Sequence, residues 1–526
     1  MSPSEARFQL QKTRAGFRNQ TSAAGAAQVF KNFSGRIGVI LPGGGARGAY
    51  EAGVLVAFQD AGLPTHLITT TSVGCINAAG YAAHSDSVVG NAESLVESWF
   101  DLTPPAVGIE WTRYAWMLAG LIAASAGFGN LITHELAVRG LTLHLHNPAL
   151  TWFALGLTGT AVLLLYDHLP YLSHVVRNFF RSTTWEPDRR KVALSLVANL
   201  TVWGFLILLL LSIHFHIRAE GISLSYPWAA LLAAGLLGLL AALRNVVRAP
   251  LSALLHRVLR LPLRAGLFPN FERGRLLRQR IPAERLRASP IHVIFTATDL
   301  EAGTVHYFSN KPPEELAAAP GADPRFATEE VSTVDDLVRA VIAASALPIV
   351  YEPITLGGRL YADGAIVSTQ PTRPAIRLGA ELLFVVMMDP PQERYSEAKT
   401  FIDIGLRSLD ILMSQNLLTD LKVVGDINAA CERAAAEIGA RPEEVEIDMG
   451  TRRFRYLKIF TIRPDAPLAG TALDFSGETI GPDLLHGYRD ACAQIENFLA
   501  YAQQAKFRRP RRVLRFSPEH DPSRAA

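Results

Sequence analysis

A chain of 526 residues, 49% of them hydrophobic, has room for two or three domains, and its positive mean hydropathy is high for a protein wetted on every face. Its formal net charge of +3 is too small to argue for a nucleic-acid partner. Cys75, Cys431 and Cys492 lie far apart with no CxxC pairing, which excludes a disulfide framework and a zinc-ligand set and favours a reducing compartment.

Residues 1–35 form a basic arm with Arg7, Lys12, Arg14, Arg18 and Lys31 but no apolar signal-peptide core, so export is not expected and the reading is a disordered or loosely docked tail, with an interfacial helix on anionic lipid as the alternative. Residues 36–105 read as α/β: strands over 36–41 and 67–71, each followed by a helical stretch. Gly43-Gly44-Gly45-Ala46-Arg47-Gly48 follows the first strand and opens a helix, which aims free amides at whatever lies in front. The spacing Gly43-x-Gly45-x-x-Gly48 also satisfies a dinucleotide fingerprint. That reading requires a carboxylate at the end of the next strand, where this chain has Thr69, Thr70 and Thr71. The second strand passes directly into Ser72-Val73-Gly74 and a small-residue helix, the pattern that thrusts a serine out of a strand-to-helix turn.

Residues 106–265 differ in kind. Four stretches, 114–132, 149–166, 192–213 and 226–243, contain no Asp, Glu, Lys or Arg, and each is long enough to cross a bilayer as a helix. The α/β segments on either side must share one face of the membrane if they form one sheet, which requires an even number of spans. Arg177, Arg181, Arg189, Arg190 and Lys191 then fall on the α/β side, as do Arg244, Arg248, Arg257, Arg260 and Arg264, against Arg139 and Arg218 on the far side. This bias predicts an integral protein of a bacterial inner membrane, with the α/β part and both termini cytoplasmic. His144, His146, His214 and His216 in the far-side loops read as interfacial histidines rather than metal ligands.

The α/β alternation resumes over 266–500. Residues 291–298 and 382–389 read as buried strands, 334–346 and 370–378 as helices. A strand-like run over 354–360 leads into Tyr361-Ala362-Asp363-Gly364-Ala365; an Asp-Gly pair is usually structural, and a base for Ser72 is the other reading. A basic tail with Arg508, Arg509, Arg511 and Arg512 occupies 501–526.

Taken in order, the glycine loop, the Ser72 turn and the Asp363 turn resemble the patatin-like phospholipase family, as do Ala297-Thr298-Asp299-Leu300-Glu301-x-Gly303 and the run 343–350 with Ser345 and Pro348. The resemblance implies a patatin-like three-layer α/β/α domain around a mostly parallel sheet, split into halves 36–105 and 266–500 by an inserted four-helix transmembrane segment. It implies a serine lipid acyl hydrolase that needs no histidine, metal or cofactor. Ser72 would attack and Asp363 take its proton. Gly43 to Gly48 would form the oxyanion loop, through the amides of Gly44, Gly45 and Ala46 with Arg47 in support. Thr70, Val73, Gly74, Gly364 and Ala365 would shape the two turns. Membrane lipid and the bilayer are the implied partners, with no nucleic acid. Thr70 departs from the family's elbow glycine and predicts shifted packing there; the alternative it supports is a weakly active or inactive patatin-fold lipid-binding membrane protein.

Overall fold

The computed structural model describes residues 2–20, 25–26, 28–30, 35–107, 112–133, 154–159, 162, 266–268, 270–311, 334–390, 422–448, 453–504 and 512–515. The chain divides into two units, residues 1–109 with 265–526, and residues 110–264.

The first unit is built on an eight-stranded sheet. Its strands are β1 (Ile37–Leu41), β2 (Leu67–Thr71), β3 (His292–Asp299), β4 (Thr304–Ser309), β5 (Ile354–Leu356), β6 (Arg359–Asp363), β7 (Leu382–Val386) and β8 (Lys458–Ile462). The order is β8-β7-β1-β2-β3-β6-β5, with β4 paired to β3. Every residue of β1, β2 and β7 is buried, as runs covered on both faces must be. The fold is α/β, but the sheet is more mixed than the sequence implies. The pairs β1–β2, β1–β7, β7–β8 and β2–β3 are parallel, whereas β3–β4, β3–β6 and β5–β6 are antiparallel. Part of the difference is the stretch 354–360, which is not one strand. Gly357 and Gly358 take φ of 54° and 83° and fold it into the β5–β6 hairpin, the conformation a two-residue turn demands.

Helix α2 (Gly48–Ala61) follows β1 and is buried on almost every side. It packs backbone to backbone against the C-terminal helix Gly477–Gln504, because a Cβ on Gly53 would collide with the Leu484 carbonyl and one on Gly487 with the Tyr50 carbonyl. The basic arm is not a loose tail in its first half. Helix α1 (Pro3–Arg18) buries Ala6, Leu10 and Phe17 and sets Arg14 against Asp60, whose side chain is buried, at 2.9 Å. Arg14 therefore answers a buried carboxylate, while Arg7 pairs with Glu97 and Asp101 at the surface. In the basic C-terminal tail, Arg512–Arg515 pairs in parallel with Val445–Asp448.

In the second unit, Thr112–Thr133 is a helix over the first of the four uncharged stretches, and residues 154–159 of the second stretch are helical. Gly159 lets these two segments touch at the backbone of Ala124. Trp116, Leu118 and Ile122 are more than half exposed. Among the described residues no helix is long and apolar enough to cross a membrane, so the predicted four-span insertion finds no support in them. The stretches 192–213 and 226–243, the rest of 149–166 and the four loop histidines lie outside the described residues.

Candidate active site

Strand β3 brings the two predicted catalytic turns together. From Ile294 to Asp299 one of its edges is taken by β4. The other edge is shared: β2 runs parallel along it and ends with Thr71 opposite Thr296, while β6 runs antiparallel and ends with Asp363 opposite Ala297. Two strands from distant parts of the chain therefore meet end to end at consecutive positions of β3. Ser72 is the first residue past one end and Asp363 the last residue of the other.

Ser72 takes φ 55° and ψ −127° and is the non-glycine residue with positive φ among the described residues, a conformation that costs about 1–3 kcal/mol and persists only where the surroundings impose it. Its neighbours impose it. Its N–H donates to the Ala344 carbonyl at 3.1 Å, and it opens helix α3 (Val73–Ala83). Two residues on, a Cβ on Gly74 would lie 2.7 Å from the Leu41 and Pro42 carbonyls, so the elbow closes over the end of β1 only because Gly74 has none. Val73 packs on Gly48, and Gly43 sits against the Ser72 Cβ, so loop and elbow are in direct contact.

Asp363 is fully buried. Its Oδ1 accepts from the Ala365 amide at 2.9 Å, its own N–H donates to the Ala346 carbonyl at 3.0 Å, and its carbonyl accepts from Thr298 Oγ1 at 2.9 Å. Gly364 lies against the Thr296 carbonyl with no room for a side chain. Burial pushes the Asp363 carboxyl up to about 6, opposed by a hydrogen bond from Ser72, by the Ala365 amide and by the charge of Arg273. Oδ2 nonetheless has no aligned donor. The Ser72 hydroxyl is thus within reach but off line, as catalytic hydrogen bonds often are before substrate binds. Cys75, one turn beyond Ser72, is fully buried, and burial pushes its thiol well up, so it is not a competing nucleophile.

The glycine loop differs from expectation in one donor. Gly45 takes φ 59° and starts a single 3-10 turn into α2. The Ala46 N–H donates to the Ala472 carbonyl at 2.8 Å, and the Arg47 N–H to the Gly44 carbonyl at 3.2 Å. Ala46 is therefore not free to bind an oxyanion, because a loop from the far end of the chain lies across it. The amides of Gly44 and Gly45 donate to no carbonyl among the described residues. Arg47 pairs with Asp389 at 2.7 Å and ties the loop to the segment after β7. Among the described residues no cluster of His, Cys, Asp or Glu has the arrangement to hold a metal ion.

A family model described as patatin-like phospholipase matches residues 39–204 and 215–376, more than half of the chain and inclusive of both turns. The chain belongs to the patatin-like phospholipase family. Lysophospholipase NTE1 of Scheffersomyces stipitis is 29% identical to it over 129 residues, 22% of this chain and 8% of that protein. Lysophospholipase nte1 of Aspergillus terreus is 39% identical over 80 residues, 14% of this chain and 5% of that protein. The chain thus spans under a tenth of the length of these relatives. VipD from Legionella pneumophila is 11% identical, with a TM-score of 0.30 over 88% of this chain and 67% of that one.

Within this patatin-like domain, the departure at Thr70 is absorbed. Thr70 is buried in β2, and its hydroxyl donates to the Ile294 carbonyl at 2.8 Å and lies 3.1 Å from Cys75 Sγ, so the extra side chain fills space between β2, β3 and α3 with its polar atom satisfied. Two features of the patatin-like site escaped the sequence reading. Ile366 and Val367, just past the Asp363 turn, are 42% and 38% exposed and put apolar surface beside the site. Arg273 is fully buried close to Asp363; its spacing of four from the buried Leu277 was the available sign that it shares the inward face of its helix.

Proposed function

We propose that this protein is a serine hydrolase of lipid acyl esters, with Ser72 as nucleophile and Asp363 as its base. The observation that carries the reading is the meeting of β2 and β6 along one edge of β3, which sets a strained serine beside a buried carboxylate next to a glycine loop. In this mechanism Asp363 accepts the Ser72 hydroxyl proton as Oγ attacks the ester carbonyl carbon. The amides of Gly44 and Gly45 stabilise the oxyanion. Collapse of the tetrahedral intermediate breaks the ester bond, and the leaving alkoxide takes the proton from Asp363. Water then attacks the acyl-serine carbonyl with Asp363 accepting its proton, and collapse breaks the acyl–Oγ bond as Asp363 returns that proton to Oγ, releasing fatty acid and restoring the serine.

The names of the relatives suggest lysophospholipid as the first substrate to try. Exposed Ile366 and Val367 at the site, and Trp116, Leu118 and Ile122 in the second unit, fit a substrate taken from a lipid surface. Membrane integration through residues 106–265, with the catalytic part cytoplasmic, rests on the four uncharged stretches and the arginine bias of the sequence. Retention of the protein in membranes after an alkaline carbonate wash tests that part by itself.

Ser72→Ala and Asp363→Asn should each lower fatty-acid release by about 10⁴-fold while the fold is kept, and a fluorophosphonate should label Ser72 in the wild type. Release undiminished in both variants would reject the dyad. The Ala46–Ala472 contact favours a second reading, a lipid-binding protein of low activity; a folded wild type that resists fluorophosphonate would establish it.

A further inference from the structure

The backbone amides of Ser72 and Asp363 are held by one tripeptide. Helix Val334–Ala344 runs out into Ser345 and Ala346, and the tripeptide is Ala344-Ser345-Ala346. The Ala344 carbonyl accepts from Ser72 N–H at 3.1 Å and the Ala346 carbonyl from Asp363 N–H at 3.0 Å. Between them, the Ser345 carbonyl accepts from Arg273 Nη1, and Arg273 Nη2 donates to the Ile342 carbonyl at 3.0 Å. The same guanidinium reaches Asn270 Oδ1, whose amide in turn holds the Glu352 carbonyl, and it stacks 4.1 Å from the ring centroid of Tyr351.

This arginine is an unusual thing to bury. It comes from Phe271–Arg280, a helix that also carries Arg275, Arg278 and Arg280, and it has no ion-paired carboxylate among the described residues. A fully buried cation without an ion pair costs several kcal/mol unless carbonyl dipoles and a nearby negative charge offset it. The carbonyls at the end of helix Val334–Ala344 supply the first. The groups whose field reaches it are Tyr351, on whose ring it stacks, and Asp363, the carboxylate of the two.

We propose that Arg273 is a positioning residue of the active site: it fixes the 344–346 clip that sets the spacing of Ser72 and Asp363, and it brings a positive charge to the Asp363 side of that clip. The proposal rests on the hydrolase reading for its kinetic consequences, but the carboxyl it acts on is readable without turnover. The groups that face Asp363 are Ser72 and Cys75 from the elbow and its helix, the Ala365 amide from its own turn, and Arg273 with Tyr351 behind it. Arg273 is the cation among them. Removing it leaves burial to act with less opposition, so the Asp363 carboxyl moves upward.

The test compares wild type, Arg273→Met and Arg273→Lys, each checked for fold by circular dichroism. The Asp363 carboxyl is titrated by infrared difference spectroscopy against Asp363→Asn, and hydrolysis of a p-nitrophenyl acyl ester is followed over the same pH range. In Arg273→Met the carboxyl titration and the acid limb of kcat/KM should both move up, with kcat at least about tenfold lower. In Arg273→Lys, which keeps the charge and loses the fork, kcat should fall while the titration stays near the wild-type value. A folded Arg273→Met with an unmoved carboxyl titration overturns the proposal and leaves Arg273 as a helix cap. If Arg273→Met does not fold, Arg273→Lys decides through the ester assay: a kcat equal to wild type overturns the proposal. Should Ser72→Ala hydrolyse the ester as fast as wild type, the hydrolase reading fails, and the infrared titration still gives its answer.

Discussion

Ser72 and Asp363 are each held by surroundings that oppose their relaxed state, the serine in a left-handed backbone conformation and the carboxylate away from water. Pinning of this kind gives the candidate site its pH dependence. A base must be ionised to accept a proton, and burial places the Asp363 carboxyl at about 6 rather than in the ordinary carboxylate range. The kcat/KM for a soluble ester should therefore rise with unit slope through about pH 6 and level above about pH 7. An acid limb centred near pH 4, measured from pH 3.5 to 9, would contradict this account. The strained serine and the glycine turn before it were legible in the sequence, because Ser-x-Gly after a strand is a local pattern. The occupied Ala46 amide was not, because its partner Ala472 lies some four hundred residues away and belongs to no motif.

At the scale of elements, glycines act in two ways that mutation should separate. Gly358 in the β5–β6 hairpin has φ 83° and open space where a Cβ would stand, so Gly358→Ala bears only the conformational cost of about 1–2 kcal/mol. Gly53 in α2 is helical, but its Cβ would meet the Leu484 carbonyl of the C-terminal helix. Gly53→Ala must push two helices apart and should cost about 3 kcal/mol or more. Urea unfolding of both variants checks the order; a smaller loss at Gly53 than at Gly358 would mean that α2 and the C-terminal helix separate freely. The Gly357-Gly358 turn stood in the sequence between two short β-like runs, and reading it as a hairpin would have given β5 and β6. The closeness of α2 to the C-terminal helix had no such signal, since Gly53 and Gly487 look unexceptional in their own segments.

Across the whole molecule, buried titratable groups pull stability in opposite directions with pH. Burial lifts Asp363 and Glu51 above the usual carboxylate range, so the stability they contribute is full below about pH 4 and is lost as pH rises, through about pH 6 for Asp363. Burial lowers His292 to about 3 and His306 to about 4, so their contribution is full above about pH 6.5 and is lost as pH falls through those values. Difference curves isolate each term. Asp363→Asn should be more stable than wild type at pH 8, by up to about 3 kcal/mol, and the advantage should vanish near pH 4. His306→Gln should gain on wild type as pH falls below about 6.5. Thermal melts across pH 4–8 test both, and parallel curves for wild type and variants would refute the assignment.

By itself the sequence determined the local geometry: which residues form the glycine loop, where the serine elbow falls, and that Asp363 ends a strand. These follow from backbone conformation, which depends on a residue and its near neighbours. Only the tertiary structure decided that β2 and β6 share one edge of β3, that the Ala472 carbonyl takes the Ala46 amide, and that Arg273 braces the 344–346 clip between Ser72 and Asp363. Those are contacts between distant segments, chosen by packing, and no periodicity within a segment encodes its partner.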